Sequence, residues 1–303
     1  MRFVLGQVRR GKLTPRHGEG SPSFALRRCE KVRAMMRSAR FFVSLICALA
    51  LAAVACGGDR GGQRAGGQPE IGKQPSSDGG GKGALGGGAK VVSLASAAIE
   101  SHPPPNAAWN AWRVRLAPGE RLEHKHALST VYAQQGTHTL TADSQAQEIR
   151  AKGGAIVKTG ARHVHEAKGE PSVFWDVLLD ERGTELPGVE RAERVFETEP
   201  LRGVPERAKV AFLDVVLAPG GGRTTVHTHP GPETIYVTDG PFEYQNGIEG
   251  SSSVDDGDVK SIPPNTPVQK RNPGGGKPRF LSWFIVDPSK EFAPAAEFST
   301  TGG

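Results

Sequence analysis

The residues best suited to chemistry lie toward the C-terminal end. There His227-Thr228-His229 is followed by the turn sequence Pro230-Gly231-Pro232 and then by Glu233. Side chains at i and i+2 of an extended segment point to the same face, so the two imidazoles share a direction. The turn then sets Glu233 beside them as the first residue of the next strand. Two imidazoles and one carboxylate meeting at a point, with coordination positions left open, suit Fe(II) or a similar divalent ion. Taken alone, an H-x-H pair on a strand also reads as a surface or pocket-lining pair without metal. A second such pair, His124-Lys125-His126, lies in the first half of the sequence.

The elements that must position these groups are strands. From Lys90 onward short alternating or apolar runs recur, among them Trp112 to Leu116, Val173 to Leu179, Val210 to Leu217 and Phe280 to Val286, separated by Gly, Pro and Asn/Asp turns. No long stretch has helical periodicity, so the chain reads as all-β, a sandwich or barrel. The two halves repeat. Ala117-Pro118-Gly119 answers to Ala218-Pro219-Gly220, His124 and His126 to His227 and His229, Gly136 to Gly240, and Asp180 to Asp287. The offset rises steadily along the chain, as small loop insertions in a second copy would make it. Two copies of one domain are expected, joined by the polar segment 185–205.

In the second copy Gly221, His227, His229, Glu233 and Gly240 follow the spacing G-x5-H-x-H-x3-E-x6-G. This resembles the first motif of the cupin superfamily, whose members are double-sheet jelly rolls. The family's second motif, G-x5-P-x-G-x2-H-x3-N, is matched by Gly257, Pro263 and Asn272, with Asn265 at the glycine position and Val268 at the histidine position. The resemblance implies a metal held by His227, His229 and Glu233, with the fourth ligand missing. Gln269 would face the opposite way. In the first copy His124 and His126 match, and Gly160 and His163 keep the G-x2-H spacing of the second motif. The glutamate position, aligned on Tyr132 and Tyr236, is Ser129. What the resemblance implies here is a three-His site of His124, His126 and His163, with His165 as a spare candidate and no acid. His102 and His138 match neither motif and read as ordinary surface or loop residues. Tyr132 and Tyr236 read as packing residues. Together the copies are similar to a bicupin over residues 91–292: two tandem jelly-roll barrels, an N-terminal cupin at 90–185 and a C-terminal one at 205–292.

The resemblance leaves three functions open. One is a metal-dependent enzyme, dioxygenase-like, acting on a small organic acid or phenolic. The second is a non-catalytic module that binds or senses a small molecule, and the third is a structural pair with neither site used. The implied cofactor is a divalent metal, Fe, Mn or Zn. A homodimer is among the assemblies the family allows. The run Asp255-Asp256-Gly257-Asp258 lacks the spaced glutamate of an EF-hand and reads as the turn before the second motif. No phosphate loop, Ser-His-Asp order or dinucleotide fingerprint is present.

Composition sets the remaining limits. The 303 residues carry a formal charge of +6, but residues 1–55 hold 11 of the 38 Lys/Arg and two of the 32 acids. The other 27 basic and 30 acidic residues leave the body near −3, which argues against a nucleic-acid partner. The three cysteines, Cys29, Cys47 and Cys56, precede the body. That excludes a disulfide scaffold, a thiolate metal site and a cysteine nucleophile there. Residues 41–54 form an uncharged apolar run of 14 behind Arg37 and Arg40, too short to span a bilayer and of the length of a signal-peptide core. With Ala52-Ala53-Val54-Ala55 before Cys56, the segment resembles the lipobox of bacterial lipoproteins, which implies a lipidated Cys56. A plain secretory signal or a buried apolar helix are the other readings. Met35 or Met36 would start a signal of ordinary length at 35–55, making 1–34 an upstream extension or else a long n-region. Residues 57–88 hold 14 Gly among 32, so 56–89 is expected to be a disordered tether. The expected location is outside the cytoplasm, on a membrane through the lipid alone. Fe(II) is easily lost or oxidised there, which turns the metal expectation toward Zn or Mn.

Overall fold

The computed structural model describes residues 86–299. The leader, Cys56 and most of the glycine-rich segment lie outside the described residues. Among those described there are 17 strands and no helix, and so none long and apolar enough to cross a membrane. In the first half these are β1 (Ala89–Ala98), β2 (Ala107–Leu116), β3 (Arg121–His124), β4 (Ser129–Gln135), β5 (Thr137–Ala142), β6 (Gln145–Arg150), β7 (Gly154–Val157), β8 (His163–Ala167) and β9 (Ser172–Glu181). The second half holds β10 (Glu193–Glu197), β11 (Lys209–Leu217), β12 (Glu233–Asp239), β13 (Phe242–Asn246), β14 (Gly250–Val254), β15 (Val259–Ile262), β16 (Val268–Arg271) and β17 (Arg279–Val286).

The strands build two barrels, each a large antiparallel sheet facing a smaller one. The large sheets run β10-β2-β9-β4-β7 and β1-β11-β17-β12-β15, and the small ones β3-β8-β5-β6 and β14-β13-β16. In the large sheets β2, β9, β4 and β7 correspond in order to β11, β17, β12 and β15. The leading strands are exchanged. β1, which precedes the first barrel, pairs with β11 of the second, and β10, which precedes the second, pairs with β2 of the first. The segment 90–185 thus gives one strand to the other barrel's sheet.

Both faces of each large sheet are covered, which is why β9 and β17 read as nearly continuous apolar runs rather than alternating ones. On β9, Phe174 and Leu178 point into the first barrel, while Trp175, Val177 and Leu179 point out. On β17, Phe280 and Phe284 point into the second barrel, while Leu281, Trp283 and Ile285 point out. The outward sets meet in one core shared by the two barrels. There Trp283 stacks on Phe212 at 4.9 Å between centroids, and Trp175 meets Tyr236 edge-on at 4.9 Å. The Trp283 indole N–H donates to Thr130 Oγ1 across the boundary at 2.7 Å. Gly154 allows the close approach: a Cβ there would lie 3.0 Å from Leu94 and from the Phe212 ring. Period-2 alternation then fixes the inward positions at 176 and 282. The turn before β16 keeps its geometry without the glycine, since Asn265 takes a φ of 58° where Gly160 in the first copy takes 73°; Asn tolerates this region better than most residues.

Trp283→Ala should destabilise the chain by about 3–5 kcal/mol through the cavity left in the shared core. Trp283→Phe, which keeps most of the ring but strands Thr130, should cost about 1 kcal/mol. Urea unfolding of the two variants measures both.

Candidate metal centres

In the N-terminal barrel the small sheet delivers the histidines and the large sheet delivers an acid. His124 ends β3 and lies directly across from His163 at the start of β8. His126 follows β3, and His165 shares the inward face of β8 with His163. The imidazole centroids of His124, His126 and His163 lie 4.4–4.8 Å apart. Asp176 enters from β9, fully buried. Its Oδ2 lies 3.0 Å from His126 Nε2, 3.5 Å from His124 Nε2 and 3.9 Å from His165 Nε2. Donor atoms of His124, His163, His165 and Asp176 all fall within 4.8 Å of one another.

The hydrogen-bond pattern decides which atoms are free. His124 Nδ1 meets the Pro187 carbonyl at 3.3 Å and His163 Nδ1 the Ala161 carbonyl at 3.0 Å. A carbonyl can only accept, so each ring carries its proton on Nδ1 and turns an Nε2 lone pair inward. Both Nε2 atoms, both ring nitrogens of His165 and Asp176 Oδ1 are buried without a protein partner. This is how metal-ligating histidines are oriented from behind. His126 differs, with acceptors at both nitrogens: the Ala127 carbonyl at 2.7 Å and Asp176 at 3.0 Å. Burial opposes its charge, but Asp176 outweighs burial and raises its pKa above 6.5. Burial lowers His124 to about 4 and lowers His163 and His165 as well, so these three are neutral at pH 7. Burial would raise Asp176; His126, His165 and His124 together outweigh it and hold the carboxyl below its ordinary value.

Two residues of this cluster escape the sequence patterns. The expectation that the first copy lacks an acid does not survive, because Asp176 stands inside the barrel. His138 is not a surface residue either. It is fully buried on β5, where its ring stacks on Phe174 at 4.7 Å and lies 5.5 Å from His165, which stacks on Phe174 at 4.3 Å. The signal for Asp176 was a lone acid at an inward position of the apolar run Val173 to Leu179.

In the C-terminal barrel His227, His229 and Glu233 converge, with donor atoms within 4.8 Å. Glu233 is the first residue of β12, after the turn. The two histidines are not on a regular strand; His227 makes an isolated bridge to Val268. Their Nδ1 atoms meet the Thr225 and Phe292 carbonyls at 2.7 Å each, and their Nε2 atoms have no protein partner. The carboxylate, however, is fully engaged. Lys270 Nζ donates to both oxygens at 2.9 and 2.8 Å, and Ser282 Oγ to Oε1 at 2.6 Å. Burial would raise Glu233, but Lys270 and the histidines outweigh it and bring it to about 2. Burial, with Lys270 adding to it, lowers His227; burial lowers His229 to about 4. Gln269 turns away and donates to the Thr224 carbonyl. Lys270 was legible only as the residue two beyond Val268, and so on the same face of β16. Cys56 lies outside the described residues.

The barrels hold their acids at transposed positions. Ser129 opposes Leu178 and Asp176 opposes Val131 across β4 and β9. Glu233 opposes Phe284 and Ser282 opposes Ile235 across β12 and β17. Ser129 therefore corresponds to Glu233, and Asp176 to Ser282. Each pair is a diagonal neighbour on the inward face, one acid and one serine, with the roles exchanged between copies.

Residues 213–284 match the family model described as the Cupin domain. The match runs from within β11 to within β17. No curated protein sequence matches the chain. Among solved structures, a point mutant of Bacillus subtilis oxalate decarboxylase is 16% identical over 73% of this chain and 81% of its own, with a TM-score of 0.47. AerE from Microcystis aeruginosa is 14% identical over 64% of this chain and 99% of its own, with a TM-score of 0.42. A further Bacillus subtilis oxalate decarboxylase structure, concerned with that enzyme's Mn(II) centres, is 15% identical over 73% and 81% of the two chains, with a TM-score of 0.46.

In the metal-free chain, Asp176→Ala should lower the His126 pKa, because burial is then opposed only by the Ala127 carbonyl and by Asp180. An NMR titration of the imidazole resonances reads the shift, and an unchanged pKa would show that Asp176 does not hold the proton.

Proposed function

We propose that the chain is a metal-dependent bicupin whose working centre lies in the N-terminal barrel and acts on a small organic acid or phenolic. The observation that carries this reading is the convergence there of buried, unpartnered imidazole nitrogens on a carboxylate with a free oxygen. The residues that would hold the ion are His124, His163, His165 and Asp176, whose donor atoms lie within 4.8 Å of one another, while His126, expected from the sequence as a ligand, is bonded at both nitrogens and stands beside the set. Nitrogen and carboxylate donors of this kind suit Fe, Mn or Zn. A divalent ion in this set supplies a Lewis acid toward an anionic or enolic oxygen.

The chain's own residues do the rest. Asp176 offsets positive charge inside the barrel. The carbonyls of Pro187 and Ala161 hold His124 and His163 in the tautomer that can bind, so little reorganisation is needed. His126 keeps a proton at Nε2 against Asp176 in the metal-free chain. Phe174, packed against both His138 and His165, backs the cluster with apolar surface and excludes water. A non-catalytic binding module is the second reading. It is favoured by the small exposure of the site histidines, none above 8%, which leaves a substrate a narrow approach.

The purified chain should carry about one divalent ion. Asp176→Ser should lose it, with affinity falling at least about tenfold. Because the acid and serine positions are transposed between copies, Ser129→Glu/Asp176→Ser should recover it. Metal analysis after dialysis reads all three, and a metal-free wild type ends the proposal. Oxygen uptake and CO2 release over a panel of small acids and phenols then separate the two readings; tight binding with no turnover selects the module.

We also propose export and lipidation at Cys56, which rests on the apolar run and the small residues before it. In a bacterial host, Cys56→Ala should move the protein from the membrane fraction to the soluble fraction and abolish incorporation of labelled palmitate. Unchanged fractionation would remove the anchor.

A further inference from the structure

The C-terminal barrel has the fuller motif, yet its charge is already balanced. We infer that the Lys270 ammonium stands where a metal ion would otherwise be bound, making this barrel a built-in, metal-free counterpart of the first. Four observations carry the inference.

The first is the geometry of the acid. Lys270 is 2% exposed, and its Nζ reaches both oxygens of Glu233 at 2.9 and 2.8 Å while Ser282 takes a third bond at 2.6 Å. A carboxylate held by three hydrogen bonds from two donors has no strong site left for a metal, and an ammonium beside it repels any second cation. The second is position. His124 lies across from His163, and His227 bridges to Val268, so Val268 takes the place of His163 and Lys270 the place of His165. The strand that brings two neutral donors to the first centre brings a methyl-bearing side chain and a cation to the second.

The third is space. The cavity bounded by Thr224, His227, Glu233, Lys270, Ser282 and apolar side chains measures about 10 Å³, room for about one water and none for a small-molecule ligand. The fourth is closure. The segment after β17 lies over the histidines. Phe292 gives its carbonyl to His229 Nδ1 at 2.7 Å, the Thr228 N–H donates to Pro294 at 3.1 Å, and the Ala296 N–H donates to Val226 at 3.1 Å. The barrel is sealed around an internal ion pair.

The test uses the full chain carrying His124→Ala/His163→Ala/Asp176→Ala, which leaves only His126 and His165 of the N-terminal donors, and Glu233→Gln in the same background assigns any bound metal to its barrel, so the result does not depend on the function proposed above. Zn(II) or Mn(II) is added, excess is dialysed away, and bound metal and Tm are measured. With Lys270 in place, less than about a tenth of an ion per chain and no change in Tm are expected. With Lys270→Ala, about one ion should bind, Tm should rise with added metal, and Glu233→Gln should abolish both effects. Lys270→Met, which removes the charge at nearly constant volume, serves if the alanine variant does not fold. Metal bound with Lys270 present and lost on Glu233→Gln overturns the inference. So does a folded Lys270→Ala or Lys270→Met chain that takes up none.

Discussion

A carboxylate inside an apolar barrel has to be matched by positive charge or strong donors, and the two centres follow from how each acid is matched. Burial pushes a carboxyl toward its neutral form. Asp176 is held ionised by imidazoles, one of them protonated, and the remaining imidazoles keep their lone pairs. Glu233 is held ionised by an ammonium and a hydroxyl, and its oxygens are fully occupied. One scaffold therefore supports two electrostatic solutions. Two inward positions of the facing strand, His163 and His165 in one barrel and Val268 and Lys270 in the other, separate a centre whose imidazole nitrogens are unpartnered from one that already holds its own cation.

These inward positions are reliable because the opposite faces are fixed. Trp175, Val177, Leu281, Trp283 and Ile285 are pinned in the shared core, together with Phe212 and Tyr236. A slip of one residue in β9 or β17 would turn that aromatic set into the barrels and the polar side chains out. The exchanged strands β1 and β10 add backbone ladders across the same boundary, so each barrel's large sheet is completed by the other's leading strand. The C-terminal barrel, whether or not it binds anything, supplies half of the packing that holds Asp176 in register.

Much of this was legible in residue order, and what was missed has a common cause. Glu233 opens β12 where the Pro230-Gly231-Pro232 turn requires it, and the rising offsets between copies mirror the matching strand orders of the large sheets. Each H-x-H pair lies inside its barrel, although His126 lies past the end of β3 and His227 sits in an isolated bridge rather than a strand. Asp176, Lys270 and His138 were overlooked because motif spacing names the positions a family fills and is silent about others facing the same point. Parity would have flagged two of them: Asp176 is the one acid in Val173 to Leu179, and Lys270 shares the inward face with Val268. His138 sits between threonines and gives no such sign, since its burial depends on the distant Phe174.

The transposition of acid and serine has a geometric reason. Diagonal neighbours on one face of an antiparallel pair reach the same volume from two backbones, so a carboxylate arriving from β9 can serve a centre as well as one arriving from the strand beside it. Filling both positions with acids would bring two like charges together in a water-poor space, and one would take up a proton. Leaving both as serine would leave the imidazoles without an anion. One acid and one hydroxyl satisfy both constraints, and the hydroxyl can donate to the acid, as Ser282 does to Glu233. In the first barrel the corresponding Ser129 hydroxyl makes no such bond. Asp176 keeps one oxygen free, and that free oxygen is the feature that distinguishes a ligand from an internal counter-ion.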